Sequence, residues 1–242
     1  MQLIATDPPF NKGKVFESEG ASFSDKWRSI ADYDLPGQVG KVIDIAKGSM
    51  RAYLTFLTPR LLEMRRVLRE DGSIYLHIDW TAHAYVKLLM DAIFGASNFR
   101  NEIVWSYSLG GSSKRYWSRK HDSILFYTKT SNYKFHKPQV PATSVRLAGK
   151  SKGMLDWWVD IPSLNNMARE RNGYPTQKPS ALYRRIVKAS SEVDQFVLDP
   201  FCGSGTTLVA AEQLCRRWMG IDELDAAIKI AQTRLPKAKI AP

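Results

Sequence analysis

The 242-residue chain predicts an α/β fold, a doubly wound and mainly parallel sheet with helices on both faces and an inserted segment. Strand-like apolar runs alternate with helical spacing along most of its length. Several of those runs are too continuously apolar to keep one face wet, as in parallel sheets covered on both sides. A hydrophobic content of 44% in a chain of this length supplies one sizeable core, so one domain carrying an insertion is expected rather than two equal domains.

The strands are read at residues 2–6 (QLIAT), 72–79 (GSIYLHID), 102–107 (EIVWSY), 123–128 (SILFYT), 195–199 (QFVLD) and 217–222 (RWMGID), as interior strands. Helical spacing occupies MRAYLTFL and RLLEMRRVLRE on either side of Pro59, then AHAYVKLLMDAIF, PSALYRRIVKAS with Pro179 suited to a first turn, TTLVAAEQLCRR and DAAIKIAQTRL. Residues 13–48, rich in Gly, Ser and charge, are expected as a mobile loop, and 135–175 as irregular. The chain thus divides into 1–134, an insertion at 135–172, and 173–242. Within the insertion MLDWWVDIPSLNN is expected as a small packed unit of its own, and there is no internal repeat.

Two strand ends carry chemistry. TDPPFN, Thr6 to Asn11, closes the first strand with two prolines whose fixed φ and missing N–H make a stiff corner. That corner presents Asp7, a free carbonyl and an exposed-looking Phe10 at a strand's carboxyl end, where open α/β sheets bind ligands. VLDPFCGSGTT leads from a strand through Asp199, Gly203 and Gly205 into a helix opened by Thr206 and Thr207, so the backbone can pass close to a ligand at a helix N-terminus. The next strand ends in Asp222, about twenty residues on, where an acid can accept hydrogen bonds from a ribose diol. Strand, loop, helix, strand and terminal acid together point to a nucleoside-bearing cofactor.

Charge adds a partner. The formal net charge is +11, and between Gly110 and Lys152 ten basic residues face the single acid Asp122, a local excess of +9. Tyr116, Trp117, Phe126, Tyr127, Tyr133 and Phe135 are interleaved with them, the mixture of cations and flat rings expected where a nucleic-acid backbone and an unstacked base are handled. Two cysteines, Cys202 and Cys215, argue for a reducing compartment, and the chain lacks an apolar run of membrane-spanning length, so a cytoplasmic protein is expected. His77, His83, His121 and His136 have no ligand spacing with Cys or acids, and no metal is expected.

DPPF, then YPTQKP, then LDPFCGSGTT resembles the amino-group DNA methyltransferases of the permuted beta class, which use S-adenosylmethionine to modify adenine N6 or cytosine N4. The order is distinctive, because related RNA- and protein-modifying enzymes place the glycine loop before the proline corner. GSIYLHID, FGASNFRNEIVWSY and SRKHDSILFYTK extend the resemblance over most of the chain outside 13–48 and 135–172. It implies the seven-stranded, Rossmann-like methyltransferase fold, and a catalytic corner of Asp7, Pro8, Pro9 and Phe10. Asp7 and the Pro8 carbonyl would accept the two amino protons, and Phe10 would stack on the flipped base. Cofactor contacts are implied for Asp7, for Thr176, Gln177 and Lys178, for Asp199, Pro200, Phe201, Gly203, Ser204, Gly205, Thr206 and Thr207, and for Asp222, with Lys178 pairing the cofactor carboxylate. Lys114, Arg115, Arg119 and Lys120 would contact duplex DNA, and 135–172 falls where target recognition lies. The Asp heading the motif favours adenine N6 over the alternative, cytosine N4.

Family members carry a further stretch ahead of the corner, including a strand that ends near the cofactor adenine. The resemblance therefore implies a pocket with one wall short, and a competing expectation of an inactive DNA-binding fragment. A homodimer and a cognate restriction enzyme are partners the family suggests.

Overall fold

A computed structural model of the chain describes residues 1–18, 21–27, 37–108, 112–165 and 167–239. The elements in chain order are β1 (Leu3–Thr6), β2 (Val15–Ser18), β3 (Ala21–Ser24), α1 (Gly37–Ile45), α2 (Gly48–Val67), β4 (Ser73–Ile78), α3 (His83–Phe94), β5 (Phe99–Ser106) and β6 (His121–Thr128). There follow β7 (Gln139–Pro141), β8 (Ser151–Gly153), β9 (Trp157–Trp158), α4 (Ser180–Ser190), β10 (Phe196–Asp199), α5 (Thr206–Gln213), β11 (Arg217–Gly220) and α6 (Asp225–Arg234).

Seven strands form one sheet in the order β11-β10-β1-β4-β6-β5-β9. It is mainly parallel, as expected: β11, β10, β1 and β4 run together, β6 lies antiparallel between β4 and β5, and β5 pairs in parallel with β9. The period of two explains why the strands read as unbroken apolar runs. In β1, Ile4 faces one core while Leu3 and Ala5 face the other; in β6, Leu125 and Tyr127 face the first while Ile124 and Phe126 face the second. The first core is closed by α1, α2 and α3 through Val39, Leu57, Leu61 and Val86, and the second by α4 through Leu182, Tyr183, Ile186 and Val187. Those α4 positions form one stripe, and Arg184, Arg185 and Lys188 lie off it.

The structure corrects several expectations. Pro59 sits inside the single helix α2 rather than between two helices. Its missing N–H is bracketed by side chains that bond neighbouring carbonyls, Thr58 to Leu54 at 2.7 Å and the Arg60 guanidinium to Phe56 at 2.7 Å. The segment 13–48 holds the antiparallel β2–β3 hairpin and α1; residues 19–20 and 28–36 of it lie outside the described residues, as do Gly110 and Gly111 of the basic loop. MLDWWVDIPSLNN is not a separate unit: Trp158 and Ile161 enter the second core, and the indole N–H of Trp105 donates to the Ile161 carbonyl at 2.7 Å. β11 is an edge strand, with alternate residues exposed, not an interior one. Among the described residues, no helix is long and apolar enough to cross a membrane.

Gly205 is the N-cap of α5 with φ +77, and a Cβ there would lie 3.0 Å from the Ala231 Cβ on α6. Its glycine requirement thus comes from backbone conformation and helix packing. Gly205→Ala is expected to destabilise the fold by about 1–3 kcal/mol, and Ala231→Gly in the same chain to return part of that loss. Urea unfolding of the two single variants and the double variant measures it; additive losses would separate the two sites.

Candidate active site

The strands β1, β4, β10 and β11 end at one edge of the sheet, which places the DPPF corner beside the glycine loop. The contact between them is specific: the Thr6 hydroxyl donates to Asp199 Oδ1 at 2.7 Å, in a buried position across 193 residues of chain. A cavity of about 440 Å³ opens over this edge. Asp7, Pro8, Pro9 and Phe10 line it, as do Thr176, Gln177 and Lys178, then Asp199, Pro200, Phe201, Gly203, Ser204, Thr206 and Thr207, and Asp222. The three motifs read from the sequence therefore meet. Gly205 does not line it, and its side faces α6.

Asp7 stands where the three motifs meet. Lys178 Nζ bonds Asp7 Oδ2 directly, both side chains being largely buried, while Asp7 Oδ1 is buried without a hydrogen-bond partner. A desolvated acceptor left unsatisfied is costly unless a ligand supplies the donor. Lys178 Nζ also lies 4.9 Å from the centre of the Phe10 ring. Its partner in the structure is thus the corner, where the resemblance implied the cofactor carboxylate. Phe10 is buried rather than exposed, its ring 5.7 Å from that of His77 behind it.

Two buried acids fix the corner from below. Asp25, from the segment expected as a loop, accepts the backbone N–H groups of Asn11 at 2.9 Å and Lys12 at 2.7 Å and the indole N–H of Trp27 at 2.8 Å. Asp122 accepts the Tyr107 hydroxyl at 3.0 Å and lies 3.0 Å from His77 Nε2. Burial alone would push the Asp122 carboxyl up, but the His77 hydrogen bond and the pull of His77, Lys178 and Lys12 hold it at about 2. Sequence reading missed Asp25, His77, Tyr107 and Asp122; the one available signal was that His77 and Asp122 stand near the ends of apolar strands.

In the glycine loop the acids act on the backbone. The Gly203 and Leu224 N–H groups donate to Asp222 at 2.8 and 3.0 Å, and the Phe201 N–H to Asp199 at 3.2 Å. Burial raises the Asp199 carboxyl from its ordinary 3.8 to about 7, against the bonds from Thr207, Thr6 and Phe201. Gln177 likewise staples a loop, accepting the Asn172 N–H at 2.8 Å and donating to the Glu170 carbonyl at 2.7 Å.

Lys114, Arg115, Arg119 and Lys120 sit outside the cavity, on the β5–β6 connection. That connection springs from its rim, since Tyr107 and Asp122 both line it. Among the described residues, no cluster of three or more His, Cys, Asp or Glu could hold a metal ion.

A cavity lined by acids, aromatic rings and a glycine-lined strand-to-helix turn, at the carboxyl ends of parallel strands, is where open α/β enzymes hold a nucleotide-like ligand. The DNA methylase family model of N6 and N4 methyltransferases matches residues 1–233, and the chain belongs to that family. The type II methyltransferase M.HpaI of Haemophilus parainfluenzae is 31% identical over 240 residues, covering 97% of this chain and 68% of that protein. The DNA adenine methyltransferase YhdJ of Escherichia coli (strain K12) is 28% identical over 257 residues, covering 98% and 77%. The solved cytosine-N4-specific PvuII DNA methyltransferase shares the fold with a TM-score of 0.63 at 15% identity, over 100% of this chain and 81% of that one.

The chain is therefore a DNA methyltransferase, and its family takes the methyl group from S-adenosylmethionine. The cavity fits that cofactor: its volume lies within the range of small-molecule sites, the Gly203 backbone borders it, and Asp222 and Glu223 face it as acceptors. Phe16 and Phe23 of the β2–β3 hairpin, stacked 5.0 Å apart, and Phe56 of α2 contribute rings to the lining.

Two outcomes are expected. Lys178→Met lowers turnover by about 10–100-fold while S-adenosylmethionine affinity, measured by calorimetry, stays within severalfold, since its partners are Asp7 and Phe10; a matching loss of affinity would place the ammonium on the cofactor instead. Asp199 has a folded pKa raised above its unfolded value, so it contributes stability present below about pH 4 that is lost as pH rises through about 7. Asp199→Asn should therefore flatten the decline of urea-unfolding stability between those limits.

Proposed function

We propose that this chain methylates the N6 amine of adenine in duplex DNA, with Asp7 and the Pro8 carbonyl as acceptors for the two amino protons. The observation that carries the reading is the buried, partnerless Asp7 Oδ1 at the cavity wall. An exocyclic amine is a poor nucleophile because its lone pair is delocalised into the ring. Two acceptors on its protons draw that density back to nitrogen and orient it, and the preformed ion pair with Lys178 holds Asp7 for the task. Bound S-adenosylmethionine supplies an electrophilic methyl on a sulfonium. Thr176, Phe201, Gly203, Ser204, Thr206, Thr207 and Asp222 hold that ligand, with Asp199 and Pro200 shaping the loop. Phe10, braced by His77, stacks on the base once it has left the duplex. Adenine is supported by the Asp that heads the motif and by the likeness to YhdJ. The type II name of M.HpaI supports a cognate restriction enzyme as partner.

Asp7→Ala should lower turnover by about 10³-fold or more and leave cofactor affinity within about fivefold, because the carboxylate addresses the base. Long-read sequencing of DNA from cells expressing the chain reads the base directly: N6-methyladenine at one sequence is expected, and N4-methylcytosine would replace the adenine assignment.

A further inference from the structure

Beside the cavity mouth lies an aromatic and cationic cluster that the chemistry above does not use. Trp117 is 96% exposed, as open as a side chain on a folded protein becomes. A single exposed apolar side chain is ordinary, but Tyr116 and Trp80 are also exposed, at 58% and 53%, so the three rings offer an exposed aromatic patch, and a patch is the informative case. Arg119, two residues on, stacks its guanidinium 3.6 Å from the Trp80 ring centre and 4.6 Å from that of Tyr116. Trp80 follows the end of β4, so this contact draws the β5–β6 connection back over the sheet edge that carries Asp7. Its stem is closed by the Tyr107 N–H bonding the Lys120 carbonyl at 2.8 Å, and both Tyr107 and Asp122 line the cavity. Among the described residues, no carboxylate pairs with Lys114, Arg115 or Arg119. Their charge is free for a polyanion.

We propose that Trp117 is the wedge that fills the stack when the target base leaves the duplex. The inference rests on the DNA methyltransferase reading and adds to it the residue that separates base extrusion from methyl transfer. Extruding a base leaves a gap flanked by two π-faces and an orphaned partner base, and a flat side chain delivered there recovers stacking. Trp117 is the most exposed ring on the connection among the described residues, the cations around it bind the flanking phosphates, and the Arg119 stack on Trp80 fixes where the connection meets the site. Trp80 and Tyr116 are engaged by that guanidinium, which leaves Trp117 for the duplex.

The test uses the full chain and a duplex oligonucleotide carrying the sequence that long-read mapping finds methylated, in matched form and with an abasic residue opposite the target base. At saturating DNA, Trp117→Ala should turn over the matched duplex about ten- to hundredfold more slowly than wild type, the loss of one base-stacking contact. It should return to within about threefold on the abasic duplex, where no pair has to be broken. Trp117→Phe should keep most of the matched rate, and 2-aminopurine at the target should lose its fluorescence rise in the Ala variant alone. Equal loss on both duplexes, or no loss on the matched one, would overturn the wedge. Wild-type chain that methylates neither duplex would instead overturn the methyltransferase reading beneath it.

Discussion

The hydrogen bond from Thr6 to Asp199 is the constraint on which the site depends. β1 and β10 are neighbours in a parallel pair, and each leads into an Asp-Pro step, as TDPPF and LDPF. The register, Leu3 beside Val197 and Ile4 beside Leu198, carries Asp199 to the level of Ala5, so Asp7 stands two residues further along than Asp199, and the Thr6–Asp199 bond locks the two ends together in a dry environment. The first strand's Asp is thereby left facing the cavity, while the second strand's Asp is consumed in holding the turn. Two similar sequences thus do different work, and burial distinguishes them: Asp199 is fully enclosed with three donors, whereas Asp7 has one ammonium and one open oxygen.

Around that junction the protein accepts several buried charges, which cost stability unless each is met by donors. Asp25 takes three N–H donors at the corner's far side, and Asp122 takes a phenol and an imidazole behind Phe10. The corner is stiff through its prolines, but its direction is set by these acids. His77 is the hinge of that support, since it faces Phe10 on one side and the edge of Trp105 on the other.

The fold was legible because parallel strands buried on both faces leave long apolar runs, and the six quoted runs are the six principal strands of the sheet. The glycine loop and the proline corner were legible because backbone constraint leaves a mark in composition. What escaped were features made by tertiary partners. Asp25 stands among Ser and Lys with nothing local to mark it, and its role exists only where the chain returns to Asn11 and Lys12. β9 has only two residues, and β2 and β3, though as long as β1, are VFES and ASFS within a stretch of Gly, Ser and charge and so leave no apolar run. Gly205 was read as a place where the backbone passes close to a ligand, but its neighbour is Ala231 on α6, and sequence carries no signal for which element faces a glycine.

The permuted order of the motifs follows from the same geometry. The arrangement needs the ends of β1 and β10 to be adjacent, and a parallel sheet provides that whichever strand comes first in the chain. Here the acceptor corner is formed at residues 6–11 and the glycine loop at 199–207, and the strand bearing the second slides in beside the first at the opposite flank from β4. The connection between them then has to span the whole domain. That long path is where the chain places β4, β5 and β6, with the basic connection between the last two, on the far side of β1 from the glycine loop, while Ser163 and Leu164 of the 135–172 insertion come back to line the cavity. The basic connection and the glycine loop are thereby set on opposite sides of β1 in the sheet.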